Sequence, residues 1–337
     1  MKLRRLFACT VSGLMIAGGV VAAVPTGATS LKPVTFAYDF PGPDFELAPL
    51  VVAQQHGFFT EAGLKVKVVF PPNTSTTTQM LSVGSADIGF LTTTDMAIAV
   101  QAGAPVLSVA NYSMRNNWAL FAKPGTSLNA ATLKSTLKGK RIFSYGDTWT
   151  EAMLPFILKY AGLTTSQVKI VTNPTAQDLV YLLAGKVDFS TSTTNYELPG
   201  FAGQTKVKGH LSQLLGTAAG APNIPIWVYA TTKGYSSANG KVVKAFLAAV
   251  KKGTQWAVKN PAAAAGEFDM AYPKSGYTDA YNKLGWALTI PFLTNSAGQY
   301  FTQTSAQWST LTKALTSIKL LTHASAPSTY FTNKFLP

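Results

Sequence analysis

Three histidines, His56, His210 and His323, and one cysteine, Cys9, are the residues best suited to nucleophilic or metal chemistry, and each stands alone. No histidine sits beside a nucleophile or at metal-ligand spacing from another, and a lone cysteine cannot form an internal disulfide or a cysteine metal cluster. No catalytic set, metal site or cofactor is therefore expected, and the histidines are assigned packing or surface roles. What the sequence offers instead is hydrogen bonding and stacking. Four stretches put polar and aromatic groups where an extended run gives way to a helix: residues 39–46 with Asp39, Phe40 and Asp44; 71–76 with Asn73 and Thr74; 92–95 with Thr93 and Thr94; and 144–150 with Asp147, Thr148 and Trp149. A fifth, 191–197, carries Asn195, Tyr196 and Glu197 at a polar density beyond what a connecting turn needs. Helix starts expose unbonded N–H groups, aromatic faces can cover a flat solute, and Thr and Asn side chains can orient it. Trp118 and Asn223, beside extended segments, join this set. Asp147 or Thr148 could equally be a plain N-cap, and 191–197 a plain solvated loop.

The elements that must hold these groups are clearest over residues 137–197. A β-rich run at 141–145 is followed by Met153, Phe156, Ile157 and Tyr160 at helical spacing, with Gly162 as the stop. A second strand is expected at 168–171. Pro174 then opens a helix bearing Leu179, Leu182 and Leu183, and a third strand follows at 187–189. The order β-α-β-α-β predicts a parallel sheet with right-handed crossovers, whose ligands lie beyond the carboxyl ends of the strands.

The chain has 337 residues, 47% hydrophobic and 12% charged, enough to bury a large core in two lobes. Its net charge of +14 comes from Lys and Arg scattered singly, so a nucleic-acid interface, which needs a basic patch, is not expected. Residues 1–28 read as an export signal: Lys2, Arg4 and Arg5, an apolar stretch, then small residues that allow cleavage near Ala23 or Ala28. A monomeric periplasmic protein is the expected product.

Earlier in the chain, strand, polar turn and helix recur three times, with strands at 34–40 and 65–70, a short one near 88–90, and helices at 48–56, 74–81 and 96–101. Strands at 106–112 and 118–122 follow. Extended crossings near Phe121 and Tyr229 would act as a hinge pair, dividing lobe 1 (32–122 and 230–337) from lobe 2 (123–229). The remainder is expected to be helical, with stripes such as Val243, Phe246, Leu247 and Val250 serving packing.

Several segments, in this order, resemble a known family: Pro49-Leu50-Val51-Val52-Ala53-Gln54-Gln55-His56-Gly57-Phe58-Phe59, Ala62-Gly63-Leu64, Gly84-Ser85-Ala86-Asp87-Ile88-Gly89, Leu137-Lys138-Gly139-Lys140, Ala184-Gly185-Lys186-Val187-Asp188 and Asn260-Pro261. The family is that of the solute-binding proteins of ABC importers for nitrate, sulfonates, taurine and thiamine-pyrimidine precursors. The resemblance implies a type II periplasmic-binding-protein fold, two Rossmann-like α/β lobes joined by a two-strand hinge, that delivers a small solute to an ABC permease. Phe40-Pro41-Gly42-Pro43-Asp44 and Asn195-Tyr196-Glu197 are similar to segments of the pyrimidine-precursor branch, whose glutamate can bond an aminopyrimidine. Gly42 and Phe45 stand near where that branch carries asparagine and histidine. A sulfonate or nitrate, held by helix starts at Thr74, Thr94 and Thr148, is the alternative. The resemblance also extends to a pyrimidine synthase of the same fold that depends on a cysteine cluster, which one cysteine cannot supply. A sensory role would leave the same cleft.

Overall fold

The computed structural model describes residues 30–174 and 177–337. The expected export segment, Cys9 included, lies outside them, as do residues 175 and 176. Ten strands run through the described residues: β1 (Lys32–Ala37), β2 (Leu64–Val69), β3 (Ile88–Thr92), β4 (Val106–Asn111), β5 (Trp118–Ala122), β6 (Arg141–Ser144), β7 (Lys169–Thr172), β8 (Ser190–Thr193), β9 (Ser212–Leu215) and β10 (Trp227–Thr232). The first sheet has the order β2-β1-β3-β10-β4; β1 is parallel to β2 and β3, and β10 is antiparallel to both neighbours. β3, β4 and β5 are buried throughout; β3 and β5 are central strands, while β4, at the sheet edge, buries Ser108 and Asn111 along with its apolar residues.

The second group departs from the expected parallel sheet. β6 and β7 are parallel, and a bridge between Ile142 and Phe189 continues that pairing, but the third strand begins three residues later than predicted and turns antiparallel onto β5. β9 lies on the other side of β5. The helix expected from Pro174 begins instead at Asp178. The hinge expectation also shifts. Phe121 and Tyr229 sit inside strands, β5 belonging to the second group and β10 to the first sheet, so the segments that cross between them are 112–117 and 222–226. These two crossings are bonded to each other. The Asn116 amide donates to Asn223 Oδ1 at 3.1 Å, Asn116 Nδ2 to the Pro222 carbonyl at 3.0 Å, and the Ile226 amide to Ser113 Oγ at 3.1 Å.

The helices covering these strands follow their apolar stripes. Helix Gly240–Lys259 turns Val243, Phe246, Leu247 and Val250 inward, with Phe246 stacked on Phe36 at 5.6 Å. A smaller apolar cluster of Phe121, Phe143, Leu179, Leu182, Val187 and Leu211 serves the second group. Among the described residues no helix is long and apolar enough to cross a membrane.

Helix Gly240–Lys259 approaches helix Ala48–Gln55 most closely at Gly253. A Cβ there would collide with the Pro49 carbonyl oxygen and lie 3.1 Å from the Ala53 Cβ. Backbone cannot yield as a side-chain end can, so Gly253→Ala is expected to destabilise the fold by about 2–3 kcal/mol, read from the midpoint of urea unfolding.

Candidate functional site

Four polar stretches leave the carboxyl ends of β1, β2, β3 and β6, whereas the fifth, 191–197, is no loop: 191–193 belong to β8 and 194–197 open the helix Thr194–Ala202 directly after it. Side-chain capping explains why helices start there. Asn73 Oδ1 accepts from the Thr76 amide at 3.1 Å, Thr92 Oγ1 from the Asp95 amide at 3.0 Å, and Asp147 Oδ1 from the Thr150 amide at 2.7 Å. Gly146, at φ +74°, makes the turn out of β6, and a Cβ there would lie 2.9 Å from the Thr172 methyl.

Loops from the first sheet meet loops from the second group at two points. At one, Thr148 Oγ1 donates to Asp95 Oδ1 at 2.8 Å and lies 2.9 Å from Thr94 Oγ1, while Thr92 Oγ1 donates to Asp95 Oδ2 at 2.6 Å. At the other, Asn195 Nδ2 donates to Glu46 Oε1 at 2.9 Å and to Thr289 Oγ1 at 3.0 Å, and Asn195 Oδ1 accepts from Asn117 Nδ2 at 2.8 Å. Asn195 thus ties a first-sheet loop, a crossing segment and the helix Asp279–Thr289 together. Alongside it, Phe40 and Tyr196 stack at 6.0 Å with rings 10° from parallel, and Phe45 packs on Tyr196 at 4.8 Å.

Carboxyl groups dominate this junction. Asp39, Asp44, Glu46, Asp95, Asp178 and Glu197 are all buried. Among the described residues the ion pairs are His56–Glu267, Arg141–Asp188 and Lys252–Glu61, so no cation neutralises any of the six. Asp39 and Glu46 are held well above the usual carboxylate range, first by burial and then by a neighbouring acid, Asp95 and Asp44 respectively. Burial also raises Asp95, and it pushes Asp44 up to about 6 even though the Tyr38 hydroxyl donates to Asp44 Oδ1 at 2.7 Å. Neither oxygen of Asp39 makes a hydrogen bond, and Glu46 Oε2 is likewise unpartnered. Thr77 and the Thr92 amide moderate Asp39 without meeting hydrogen-bond geometry. Asp178 and Glu197 form a second acid pair: the Tyr145 hydroxyl donates to Asp178 Oδ1 at 2.8 Å, Asp178 Oδ2 is unpartnered, and Glu197 is held well above the usual carboxylate range, first by burial and then by the charge of Asp178.

The residues singled out from sequence divide by what they do. Asp39, Phe40, Asp44, Thr94, Thr148, Asn195, Tyr196 and Glu197 come together at the junction or in its acid pairs. Trp118 is core: it is buried, its Nε1 donates to Thr150 Oγ1 at 3.3 Å, and its ring lies against Gly216. Asn223 and Thr93 hold the crossings, Thr93 Oγ1 donating to the Pro225 carbonyl at 2.8 Å. Asn73 and Asp147 are caps; Trp149 is buried with its Nε1 unpartnered. Thr74 opens its helix, and its side chain lies outside the described residues. Glu46 and Asp95 were passed over although both sit inside nominated loops. Asp178 was read as helix interior, and Asn117 and Thr289 carry no local signal. Among the described residues no cluster of three or more His, Cys, Asp or Glu could hold a metal ion.

The NMT1/THI5-like family model matches residues 44–264. The chain belongs to this family. A formylaminopyrimidine-binding protein of Halalkalibacterium halodurans is 28% identical over 221 residues, which span 63% of this chain and 62% of that relative. A 4-amino-5-hydroxymethyl-2-methylpyrimidine phosphate synthase of Legionella pneumophila is 24% identical over 296 residues, 86% of this chain and 88% of that one. Among solved structures, the alkanesulfonate-binding protein SsuA of Xanthomonas axonopodis pv. citri, bound to MOPS, matches with a TM-score of 0.66 at 18% identity, covering 89% of this chain and 98% of that one. The fold is the periplasmic-binding-protein fold, as the sequence resemblance implies.

Raised carboxyl pKa values give the junction a definite pH response. A carboxyl group that binds its proton more tightly folded than unfolded contributes stability that is complete below the ordinary carboxylate range and is lost as pH rises through the raised value. The unliganded protein should therefore melt on the order of a few °C higher at pH 5 than at pH 7.5, and Asp39→Asn or Glu46→Gln should flatten that dependence, as followed by calorimetry. Asp188, held down to about 2 by Arg141, acts in the opposite sense and only under stronger acid.

Proposed function

We propose that this protein is the extracytoplasmic solute-binding component of an ABC importer and captures an aminopyrimidine-like heterocycle at the junction, without turning it over. In this reading the first sheet and its helices form one lobe, the strands β5 to β9 the other, and the bonded crossings 112–117 and 222–226 are the hinge. The observation that carries it is the pairing of Glu46, a buried carboxyl whose Oε2 is unpartnered and whose pKa burial raises, with the near-parallel rings of Phe40 and Tyr196. A neutral carboxyl group offers one donor and one acceptor side by side, which complements the ring nitrogen and exocyclic amine of an aminopyrimidine. Parting the two rings would admit a flat heterocycle between them. The formylaminopyrimidine-binding relative supports the same solute class.

The same acids speak against an anion. Of the three helix starts that could hold a sulfonate or nitrate, those at Thr94 and Thr148 carry acids in the first turn, Asp95 and Glu151, with Asp147 as a cap, whereas the one at Thr74 carries none. When ionised, these acids repel an incoming anion where the backbone N–H groups would otherwise attract it.

Calorimetry of the purified protein against 4-amino-5-hydroxymethyl-2-methylpyrimidine, taurine and nitrate tests this assignment. One pyrimidine per chain is expected to bind, with Tyr196→Ala weakening it by about 10- to 100-fold through lost stacking. Binding of taurine or nitrate in its place would overturn the solute class. Conversion of the pyrimidine by the purified protein would replace capture with catalysis.

A further inference from the structure

Asp39 and Asp95 leave something unaccounted for. Asp39 is 1% exposed, both its oxygens lack a hydrogen bond, and the hydroxyl of Thr77, itself 0% exposed, is also unpartnered. The loop after β1, helix Thr74–Ser82, the end of β3 and helix Thr93–Gln101 supply Asp39, Thr77, Thr92 and Asp95. Helix Thr148–Tyr160 closes the far side with Thr148, and places Asp147 and Glu151 close enough to raise Asp95 further. Every charged group that bears on this spot is therefore acidic. Among the described residues no Lys, Arg or His forms an ion pair with any of them. The chain nonetheless carries 28 Lys and Arg against 14 Asp and Glu, so this spot lacks a cation although the protein is strongly basic.

Two buried acids that repel each other and face only hydroxyls are costly when ionised, and they become favourable once a cation arrives with its own charge. We propose that Asp39 and Asp95 form an ammonium subsite, where a positively charged amine on the solute docks and displaces a proton from the pair. The third ammonium hydrogen is left for a hydroxyl of Thr77, Thr94 or Thr148 to accept. This rests on the junction being the solute site and adds a second recognition element to it: Glu46 with the Phe40–Tyr196 stack takes the ring, and Asp39 with Asp95 takes a charged substituent. It also makes capture pH-dependent, because an amine that arrives already charged must drive a proton off the acids. Affinity then rises as pH is raised, by up to about tenfold per pH unit for each proton released, until the pair is ionised without the solute.

The discriminating probes are 4-amino-5-aminomethyl-2-methylpyrimidine, whose side arm is an ammonium at neutral pH, and its neutral 5-hydroxymethyl counterpart. Calorimetry of the purified protein at pH 6, in two buffers of different ionisation enthalpy, should show about one proton released per ammonium probe bound, with affinity rising as the pH is raised from 5 to 7. The ammonium probe should bind at least tenfold tighter than the neutral one, and Asp39→Asn should abolish both the proton release and the preference. Asp95→Asn, which keeps the Oδ1 acceptor for Thr148, is a second variant with the same expected outcome, and melting curves establish that each variant folds. Equal affinity for the two probes, or binding with no proton exchange or with proton uptake, overturns the ammonium subsite while leaving the pyrimidine reading intact. Heat from Ca2+ or Na+ alone that Asp39→Asn removes would show an inorganic cation site and overturns it too. Failure of both pyrimidines to bind overturns the pyrimidine reading, and the subsite with it.

Discussion

Burying carboxyl groups without cations is the constraint around which this structure is arranged. An ionised carboxylate withdrawn from water has three remedies: a counter-ion, several good hydrogen bonds, or a proton. At the junction the first is absent among the described residues, and the second is only partly met, by Tyr38 for Asp44, Thr92 and Thr148 for Asp95, and Asn195 for Glu46. Burial therefore raises the pKa of these groups, favouring the protonated form.

The hydrogen bonds that hold the halves together draw on the same groups. Asn195 is fully engaged between Glu46, Thr289 and Asn117, and Thr148 between Asp95 and Thr94. Glu46 and Asp95 are thus already engaged in contacts that hold the halves together. The crossings, by contrast, are bonded mainly to one another through Asn116, Asn223 and Ser113, so they can flex while keeping their mutual register.

Much of the local structure was legible because its causes are local. The cap at Asp147, the glycine turn at Gly146 and the apolar stripe of Gly240–Lys259 announce themselves within a few residues. The same logic located four strand ends, and so most of the junction. It failed where neighbours in space decide. Residues 187–189 have the composition of a strand, but parallel pairing there shrinks to one bridge, and the ladder forms three residues on, where β5 offers an antiparallel partner. Phe121 and Tyr229 looked like crossings because extended runs of either kind read alike until their hydrogen-bond partners are known.

The amino-acid sequence alone determined an α/β chain with polar helix starts at strand ends and no histidine or cysteine constellation, since periodicity, caps and composition are properties of short windows, while the periplasmic-binding type was implied by resemblance to a known family. Only the tertiary structure decided which polar groups meet. Glu46 and Asn195 are separated by 149 positions in the chain, and Asn195 and Thr289 by 94. It also decided that Trp118 is core, that Asn223 braces a crossing, and that Asp39 keeps company with Asp95. A carboxylate's role depends on its solvation and on the charge of its neighbours, and both arise from packing between segments distant along the chain.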